Sequence, residues 1–362
     1  MAPTLLVGSC EPFSGKSAVV LGLGRQLAGL GIPMRFGKPL ATDLDREPND
    51  LEPLWDADVR FVGATLGLPE PHLIPSADLL DPTVADRRLV AATLEPGAGF
   101  ERLVQQLGLA HQGLTVLEAA GSLHEGLLYG MSLPQLAQRL DAPVVLVHHW
   151  SDARSIDPLL AARALLGDHL AGVVLNAVTP EEVPVLCDQL APALERLAIP
   201  VLGVMPRSPL LRSVTVEELA RRLDAQVLCC RERLDLLVET LSIGAMNVNS
   251  AMEFFRRRRN MAVVTGADRT DIQLAALEAS TQCLILTGAA EPLPQLLNRA
   301  EELEVPLLKV EHDTLTTVEV IERAIGSVRL HEAVKATYAI RLVEEHCDFR
   351  RLFRALALPV PG

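Results

Sequence analysis

Aromatic residues are scarce in this chain: Phe, Trp and Tyr together make up only 3% of its 362 residues. Because 49% of the residues are nevertheless hydrophobic, the core must be built from Leu, Val, Ile and Ala. This composition is typical of a soluble α/β protein. The length exceeds what one ordinary core needs, so we expect two domains.

An excess of positive charge is also lacking. The formal net charge is −13 and the pI is near 5.2. Because nucleic-acid backbones are bound through clustered Lys and Arg, this balance argues against a general DNA- or RNA-binding role. A local basic pocket for a small anion stays compatible with it.

The cysteines show no C-x-x-C pair and no metal-ligand spacing. They are therefore interpreted as reduced residues of a cytosolic protein. The N-terminus lacks a basic region followed by a long apolar stretch, and no apolar run reaches about 18 residues, so we predict neither export nor a membrane span. The six cysteines are Cys10, Cys187, Cys229, Cys230, Cys283 and Cys347.

Short apolar runs alternate with helical patterns through the first 210 residues. The runs lack period-two alternation, as expected of strands that helices cover on both faces, and they predict a doubly wound parallel sheet. Frequent Pro, Asp and Glu between residues 40 and 110 indicate a helical insertion whose helices are shortened by proline. The predicted strands are residues 4–8, 34–38, 114–118, 143–148, 171–176 and 200–204.

A second, smaller α/β domain is predicted to begin at residue 213. There Thr215 precedes a helical pattern and Glu218 follows three residues later, which is the spacing of a capping box. Apolar runs then recur at 261–265, 283–287 and 306–310. The predicted domains are therefore residues 1–212 and 213–330, with a helical tail over 331–362.

The first apolar run leads into "GSCEPFSGKS", residues 8–17. A phosphate-binding loop needs a strand, inward-facing backbone N–H groups, a lysine that reaches the phosphates and a hydroxyl that can hold Mg²⁺. Gly15, Lys16 and Ser17 meet these needs ahead of a predicted helix over 17–30, whose positive N-terminus favours an anion. The alternative is a Gly-Lys-Ser turn that binds nothing.

Cys10 departs from the usual phosphate-loop spacing. The pattern G-x-x-x-x-G-K-S/T places a glycine there, and a side chain is expected to crowd the tight turn. This departure puts turnover in doubt more than nucleotide binding.

Five segments follow one another as in dethiobiotin synthetase, and resemble even more closely the N-terminal domain of long bacterial phosphate acetyltransferases. They are the loop itself, "FGKPLATD" (36–43), "LTVLEAAGSLHEG" (114–126), "GVVLNAV" (172–178) and "LGVMPR" (202–207). The resemblance implies binding of ATP, or another nucleotide, with Mg²⁺. By the same resemblance, Ser17 and Glu118 would hold the metal and Asn176 would meet adenine. The nucleotide contacts expected are Gly8, Glu11, Ser14, Gly15, Lys16, Ser17, Lys38, Asn176 and Pro206.

These assignments also have physical grounds. Glu118 ends a predicted parallel strand, where ligands bind in such sheets, and an amide can pair with adenine. The alternatives are a solvated lysine for Lys38, a surface charge for Glu118 and a helix cap for Asn176. His124 and Glu125 are weaker candidate contacts in the same crevice, and His148 and His149 are interpreted as structural residues.

The segment "TGADRTDIQLAALEAS", residues 265–280, resembles the DRTGG domain, with Asp271 in place of the first glycine of the motif. Segments 243–255, 284–310 and 312–323 fit the same domain. The resemblance implies a small anionic effector near Asp268, Arg269 and Thr270; the alternative is that these residues only cap a helix and form a turn. The arginines at 256–259 are interpreted as cations that complement a helix dipole rather than as a nucleic-acid patch.

This order of domains resembles the region upstream of the catalytic domain in long phosphate acetyltransferases. No such catalytic domain is recognised in the sequence, so acetyl transfer is not expected. The first hypothesis is a cytoplasmic, homo-oligomeric regulatory or sensor protein that binds a nucleotide and has no nucleic-acid or membrane partner. The second is an ATP-dependent ligase of the dethiobiotin synthetase type. The third is an interaction module with a degenerate loop.

Overall fold

The computed structural model describes residues 3–45, 53–244, 252–253, 255, 257–327 and 329–359. The chain divides into two compact units, one of residues 1–207 together with 330–362 and one of residues 208–329. The chain therefore returns to the first unit after it has completed the second.

The first unit is built on a parallel sheet. Along the chain its strands are β1 (Thr4–Ser9), β2 (Met34–Gly37), β3 (Leu40–Ala41), β4 (Leu73–Ile74), β5 (Asp78–Leu79), β6 (Leu114–Glu118), β7 (Val144–His149), β8 (Leu170–Val178) and β9 (Val201–Pro206). Seven of them pair in the order β4-β2-β6-β1-β7-β8-β9, and every pair is parallel. β3 and β5 pair separately. The predicted doubly wound parallel sheet is confirmed.

Helices cover both faces of this sheet, which explains why the strands read as unbroken apolar runs. The helices are Lys16–Gly29, Ala57–Leu66, Pro82–Val90, Ala98–Leu107, Leu133–Leu140, Ile156–Leu166, Val183–Val185, Ala191–Arg196, Ala333–His346 and Arg350–Ala355. Across the described residues, no helix is both long enough and apolar enough to span a bilayer.

Proline acts differently in the 40–110 insertion from what the sequence predicts. Pro82 stands at the first position of its helix, where its missing N–H has no intrahelical partner to lose. The preceding helix ends instead at Gly67, which has a φ of +64°. Glycine therefore ends a helix here, and proline begins one.

The second unit has a mixed sheet. Its strands are β10 (Val214–Thr215), β11 (Gln226–Cys229), β12 (Leu237–Val238), β13 (Thr240–Ile243), β14 (Met261–Gly266), β15 (Thr281–Thr287) and β16 (Leu307–Val310), and its helices are Pro209–Arg212, Val216–Arg222, Thr270–Leu277, Pro294–Glu302 and Thr314–Ala324. Five strands pair in the order β11-β16-β15-β14-β13, in which only β11 runs antiparallel to its neighbour. Thr215 caps its helix as predicted, since its hydroxyl accepts from the Glu218 N–H at 3.2 Å.

Candidate nucleotide-binding site

The loop after β1 turns sharply into the Lys16–Gly29 helix. Gly15 precedes the helix with a φ of +100°, a conformation that side chains rarely adopt. The Lys16 ammonium is buried and donates to the Ser9 hydroxyl at 3.1 Å and to the Gly121 carbonyl at 3.2 Å. The lysine side chain thus lies back across the loop, between the ends of β1 and β6.

Ser17 and Glu118 face each other, as the metal prediction requires. The Ser17 hydroxyl donates to Glu118 Oε1 at 3.3 Å, and Glu118 is only 4% exposed. Its second oxygen, Oε2, is buried without a hydrogen-bond partner among the described residues. An orphaned carboxylate oxygen beside a hydroxyl fits Mg²⁺, which prefers oxygen ligands.

Lys38 lies in the same cluster, paired with two carboxylates that the sequence reading did not single out. Its ammonium is 2.5 Å from Asp58 Oδ2 and 3.2 Å from Asp56 Oδ1. Asp56 caps the Ala57–Leu66 helix by accepting from the Asp58 N–H at 2.8 Å. An aspartate just before an apolar helical pattern is the signal that could have pointed to this pair.

Burial and charge shift the pKa values of this cluster in opposite directions. Burial raises the pKa of Glu118, against the opposing effect of Lys38 and Lys16. Burial lowers the pKa of Lys16, and Glu118 offsets that only in part. For Lys38 burial acts downward too, but Glu118 and the two aspartates outweigh it and raise its pKa. The site therefore holds a charged Lys38 and a Lys16 whose charge a bound anion would stabilise.

Asn176, at the end of β8, lies against the phosphate loop. Its amide donates to the Ser14 carbonyl at 2.7 Å, and its Oδ1 accepts from the Ala177 N–H at 2.8 Å. The adjacent Ser14 hydroxyl is buried and has no hydrogen-bond partner among the described residues. Ser14 is thus suited to meet a phosphate, while adenine contact by Asn176 stays a prediction, as does nucleotide contact by Pro206 at the end of β9.

The remaining predicted residues surround the same loop. Gly8 packs against Leu133, since a Cβ added there would lie 2.3 Å from its side chain. Glu11 accepts from the His149 N–H at 2.5 Å, and its Oε1 lies 3.3 Å from His148 Nδ1. Glu125 accepts from the Gly121 N–H, whereas His124 is exposed.

The crowding expected at Cys10 does not occur. Cys10 keeps a negative φ, and its thiol is 3.6 Å from the Pro158 carbonyl. The non-glycine residue with a positive φ in this loop is Phe13, at 55°, and its side chain is 57% exposed. Burial, with the charge of Glu11, raises the pKa of the Cys10 thiol to about 12, so it is not a thiolate at neutral pH.

Comparison with known proteins agrees with this geometry. A family model described as an AAA domain matches residues 3–215, more than half of the chain, and one described as a DRTGG domain matches residues 218–324. The chain belongs to this AAA-domain family. The AAA domain carries the P-loop described above and is a nucleotide-binding domain.

Known relatives match this chain over different shares of its length. Phosphate acetyltransferase of Nitratidesulfovibrio vulgaris is 24% identical over 97% of this chain and 51% of its own length. That of Deinococcus radiodurans is 29% identical over 87% and 45%. ATP-dependent dethiobiotin synthetase of Pseudomonas aeruginosa is 30% identical over 62% of this chain and 98% of its own length. The chain spans about half the length of the two acetyltransferases, and the resemblance to their N-terminal region is confirmed.

The predicted effector residues of the DRTGG domain lie where β14 leads into the Thr270–Leu277 helix. Asp268 is exposed, and Arg269 donates to the Gly244 carbonyl at 3.2 Å. Arg269 stands at the capping position of this helix, and its side chain makes no capping hydrogen bond to a described residue there. The alternative interpretation, that the three residues only cap the helix and form a turn, stays a prediction. An anionic effector here stays a prediction.

The arginine run after the apolar segment is only partly described. Arg256 lies outside the described residues, as do residues 245–251. Arg257 is exposed and pairs with Glu253 one turn earlier, at 2.5 Å. The interpretation of this run as helix-end cations stays a prediction.

Proposed function

We propose that this protein is a regulator or sensor that binds ATP with Mg²⁺ in its AAA domain and relays the occupancy of that site to its DRTGG domain. The observation that carries the proposal is the contact between His331 Nε2 and Asp58 Oδ1, at 2.7 Å. The second unit ends at Arg329. The segment that leaves the DRTGG unit therefore meets a carboxylate of the nucleotide site within two residues.

Asp58 is held between Lys38 and His331, which makes it sensitive to an added phosphate. It pairs with Lys38 at 2.5 Å on one oxygen and with His331 on the other. A phosphate that approaches Lys38 would compete with Asp58 for that ammonium, and the Asp58–His331 contact would change as a consequence. Lys16 would meet the phosphates, and Ser17 with Glu118 would hold Mg²⁺, which neutralises phosphate charge when bound.

Two further parts of the proposal come from the sequence. They are a homo-oligomer and a small anionic effector at Asp268, Arg269 and Thr270. A nucleotide signal and an effector signal would then meet in one chain.

The experiment that tests nucleotide binding replaces Lys16 by Ala. Calorimetric titration of the wild-type chain with ATP, ADP and Mg²⁺ should give saturable binding. Lys16→Ala should weaken it at least about tenfold, because a charge-assisted contact to phosphate is lost. Lys309→Ala, which removes a lysine of the second unit that pairs with Glu291, is the control and should leave the affinity unchanged. Unchanged affinity in Lys16→Ala, or no nucleotide binding by the wild type, would contradict the proposal.

The second candidate function is an ATP-dependent ligase of the dethiobiotin synthetase type. The similarity that spans 98% of such an enzyme favours it. Lys16, Lys38 and Glu118 would then stabilise charge on a transferred phosphoryl group. ATP hydrolysis measured with and without 7,8-diaminopelargonate separates the two: stimulation supports the ligase, and nucleotide binding without stimulated turnover supports the sensor.

A further inference from the structure

A second group of ligating side chains stands at the start of the phosphate loop. β1 and β7 are parallel neighbours, with Ser9 in register with Val147. Cys10 and His148, which follow these two paired residues, therefore lie close together, and Glu11 lies next to them. One sulfur, one imidazole nitrogen and one carboxylate oxygen from these three residues all lie within 4.8 Å of one another.

The burial of His148 shows that the group is built into the fold. His148 is 2% exposed, and its Nε2 makes no hydrogen bond to a described residue. Its Nδ1 lies 3.3 Å from Glu11 Oε1. Glu11 itself is 33% exposed, so a small solute can reach the group from solvent.

We propose that Cys10, Glu11 and His148 form a binding site for a divalent transition-metal cation of the Zn²⁺ type, separate from the Mg²⁺ site predicted at Ser17 and Glu118. Sulfur and imidazole ligands favour Zn²⁺, whereas Mg²⁺ prefers oxygen. Three protein ligands leave a fourth position open to water or to an anion.

The spacing of the ligand atoms requires little movement. In tetrahedral geometry, bonds of about 2.0–2.3 Å place two ligands of one Zn²⁺ about 3.3–3.8 Å apart. Because the three ligand atoms all lie within 4.8 Å of one another, side-chain rotations that close each pair by at most about 1–1.5 Å would complete the site. Because Cys10 and Glu11 begin the loop that Lys16 and Ser17 end, a bound cation would also fix the first half of the loop.

The test uses the full-length chain, reduced and freed of metal by a chelator, with Co²⁺ as the probe. We expect one equivalent of Co²⁺ to bind, to displace the Cys10 thiol proton into the buffer and to give a thiolate-to-cobalt charge-transfer band. Cys10→Ser should remove the band and weaken binding by more than about tenfold. Cys187→Ser, at an exposed cysteine, is the matched control and should keep the band. The absence of the band in the wild type, or its survival in Cys10→Ser, would overturn the proposal.

A second measurement guards against misfolded variants. Circular dichroism of each metal-free variant checks its fold. Two further variants are tested: Glu11→Gln, at a partly exposed ligand, and His148→Gln, at a buried one. Zn²⁺ should raise the melting temperature of the wild type, with a smaller shift in Glu11→Gln and none in Cys10→Ser. An equal shift in all variants, or displacement of Co²⁺ by equimolar Mg²⁺, would mean that no such site exists.

Discussion

At the residue scale, Gly15 shows how one backbone conformation shapes the nucleotide site. Its φ is +100°, and a Cβ added there would lie 2.3 Å from the Asn176 amide nitrogen. That amide holds the Ser14 carbonyl at 2.7 Å. A side chain at residue 15 would therefore strain the backbone and also push away the group that fixes the loop.

Gly15→Ala should destabilise the protein more than Gly31→Ala does. Gly31 also has a positive φ, of 68°, but no atom of a described residue lies within 4 Å of an added Cβ, so its substitution tests backbone strain alone. We expect Gly31→Ala to lower the free energy of unfolding by about 1–2 kcal/mol, and Gly15→Ala to lower it further. Gly15→Ala alone should also weaken ATP binding. Urea unfolding and calorimetry measure the two effects, and equal results for both variants would contradict the role given to Asn176.

Which site residues the sequence can predict depends on how they are brought together. Lys16 and Ser17 belong to the Gly-Lys-Ser motif that follows an apolar strand, and Glu118 ends such a strand, where ligands bind in parallel sheets. Asp58 comes from an insertion, where the helix-start signal at Asp56 marks a helix but not a contact with His331, and His331 comes from the far end of the chain. Only the folded chain reveals their contact.

The cluster of Cys10, Glu11 and His148 cannot be predicted from the sequence for a related reason. Metal-ligand motifs are recognised by short fixed spacings, and this chain has none. Here the ligands come from the ends of β1 and β7, which are adjacent in the sheet but distant in sequence. Strand order, rather than sequence spacing, creates the group.

At the scale of elements, the Ala333–His346 helix covers the Lys16–Gly29 helix. Its buried positions recur at helical spacing, and the close approach depends on Gly22, whose added Cβ would lie 2.3 Å from Val343 Cβ. The helix that carries Lys16 is thus supported by a segment from the end of the chain. The buried positions are Lys335, Ala336, Ala339, Leu342 and Val343.

Gly22→Ala should lower the free energy of unfolding by about 1–3 kcal/mol, because one methyl group overpacks this helix contact. Gly29→Ala, in the same helix, is the control, because in the part of the chain that the structure describes no atom lies within 4 Å of its added Cβ. It should raise stability by up to about 1 kcal/mol, since alanine loses less backbone entropy in a helix than glycine does. Urea unfolding of both variants is the measurement. A Gly22→Ala protein as stable as wild type would show that the two helices do not depend on this contact.

The strands of the first unit were predictable, but the docking of the last helices was not. A buried parallel strand carries its own signal, an apolar run without alternation. The Ala333–His346 helix has an apolar stripe, but the stripe does not indicate which surface the helix packs against. That surface is determined by shape complementarity, such as the space that Gly22 leaves for Val343.

At the scale of the whole molecule, the path of the chain joins the two units twice. It enters the second unit after Arg207 and returns at Leu330. The returning segment carries His331 to Asp58 and then continues into the helix that supports the phosphate loop. A change at the nucleotide site therefore has a covalent route to the end of the DRTGG unit, and the sensor proposal rests on that route.

His331→Ala should uncouple the second unit from the nucleotide. In hydrogen exchange of the full-length wild type, ATP with Mg²⁺ should change protection within residues 208–329, and this change should be lost in His331→Ala while ATP still binds. His169→Ala is a matched control, because His169 also pairs with an aspartate of the first unit, Asp141 at 3.2 Å, and its side chain is 32% exposed against 34% for His331. If the response persists in His331→Ala, or disappears equally in His169→Ala, the His331–Asp58 contact does not transmit the nucleotide signal. Nucleotide binding measured on the same samples shows whether the site itself was left intact.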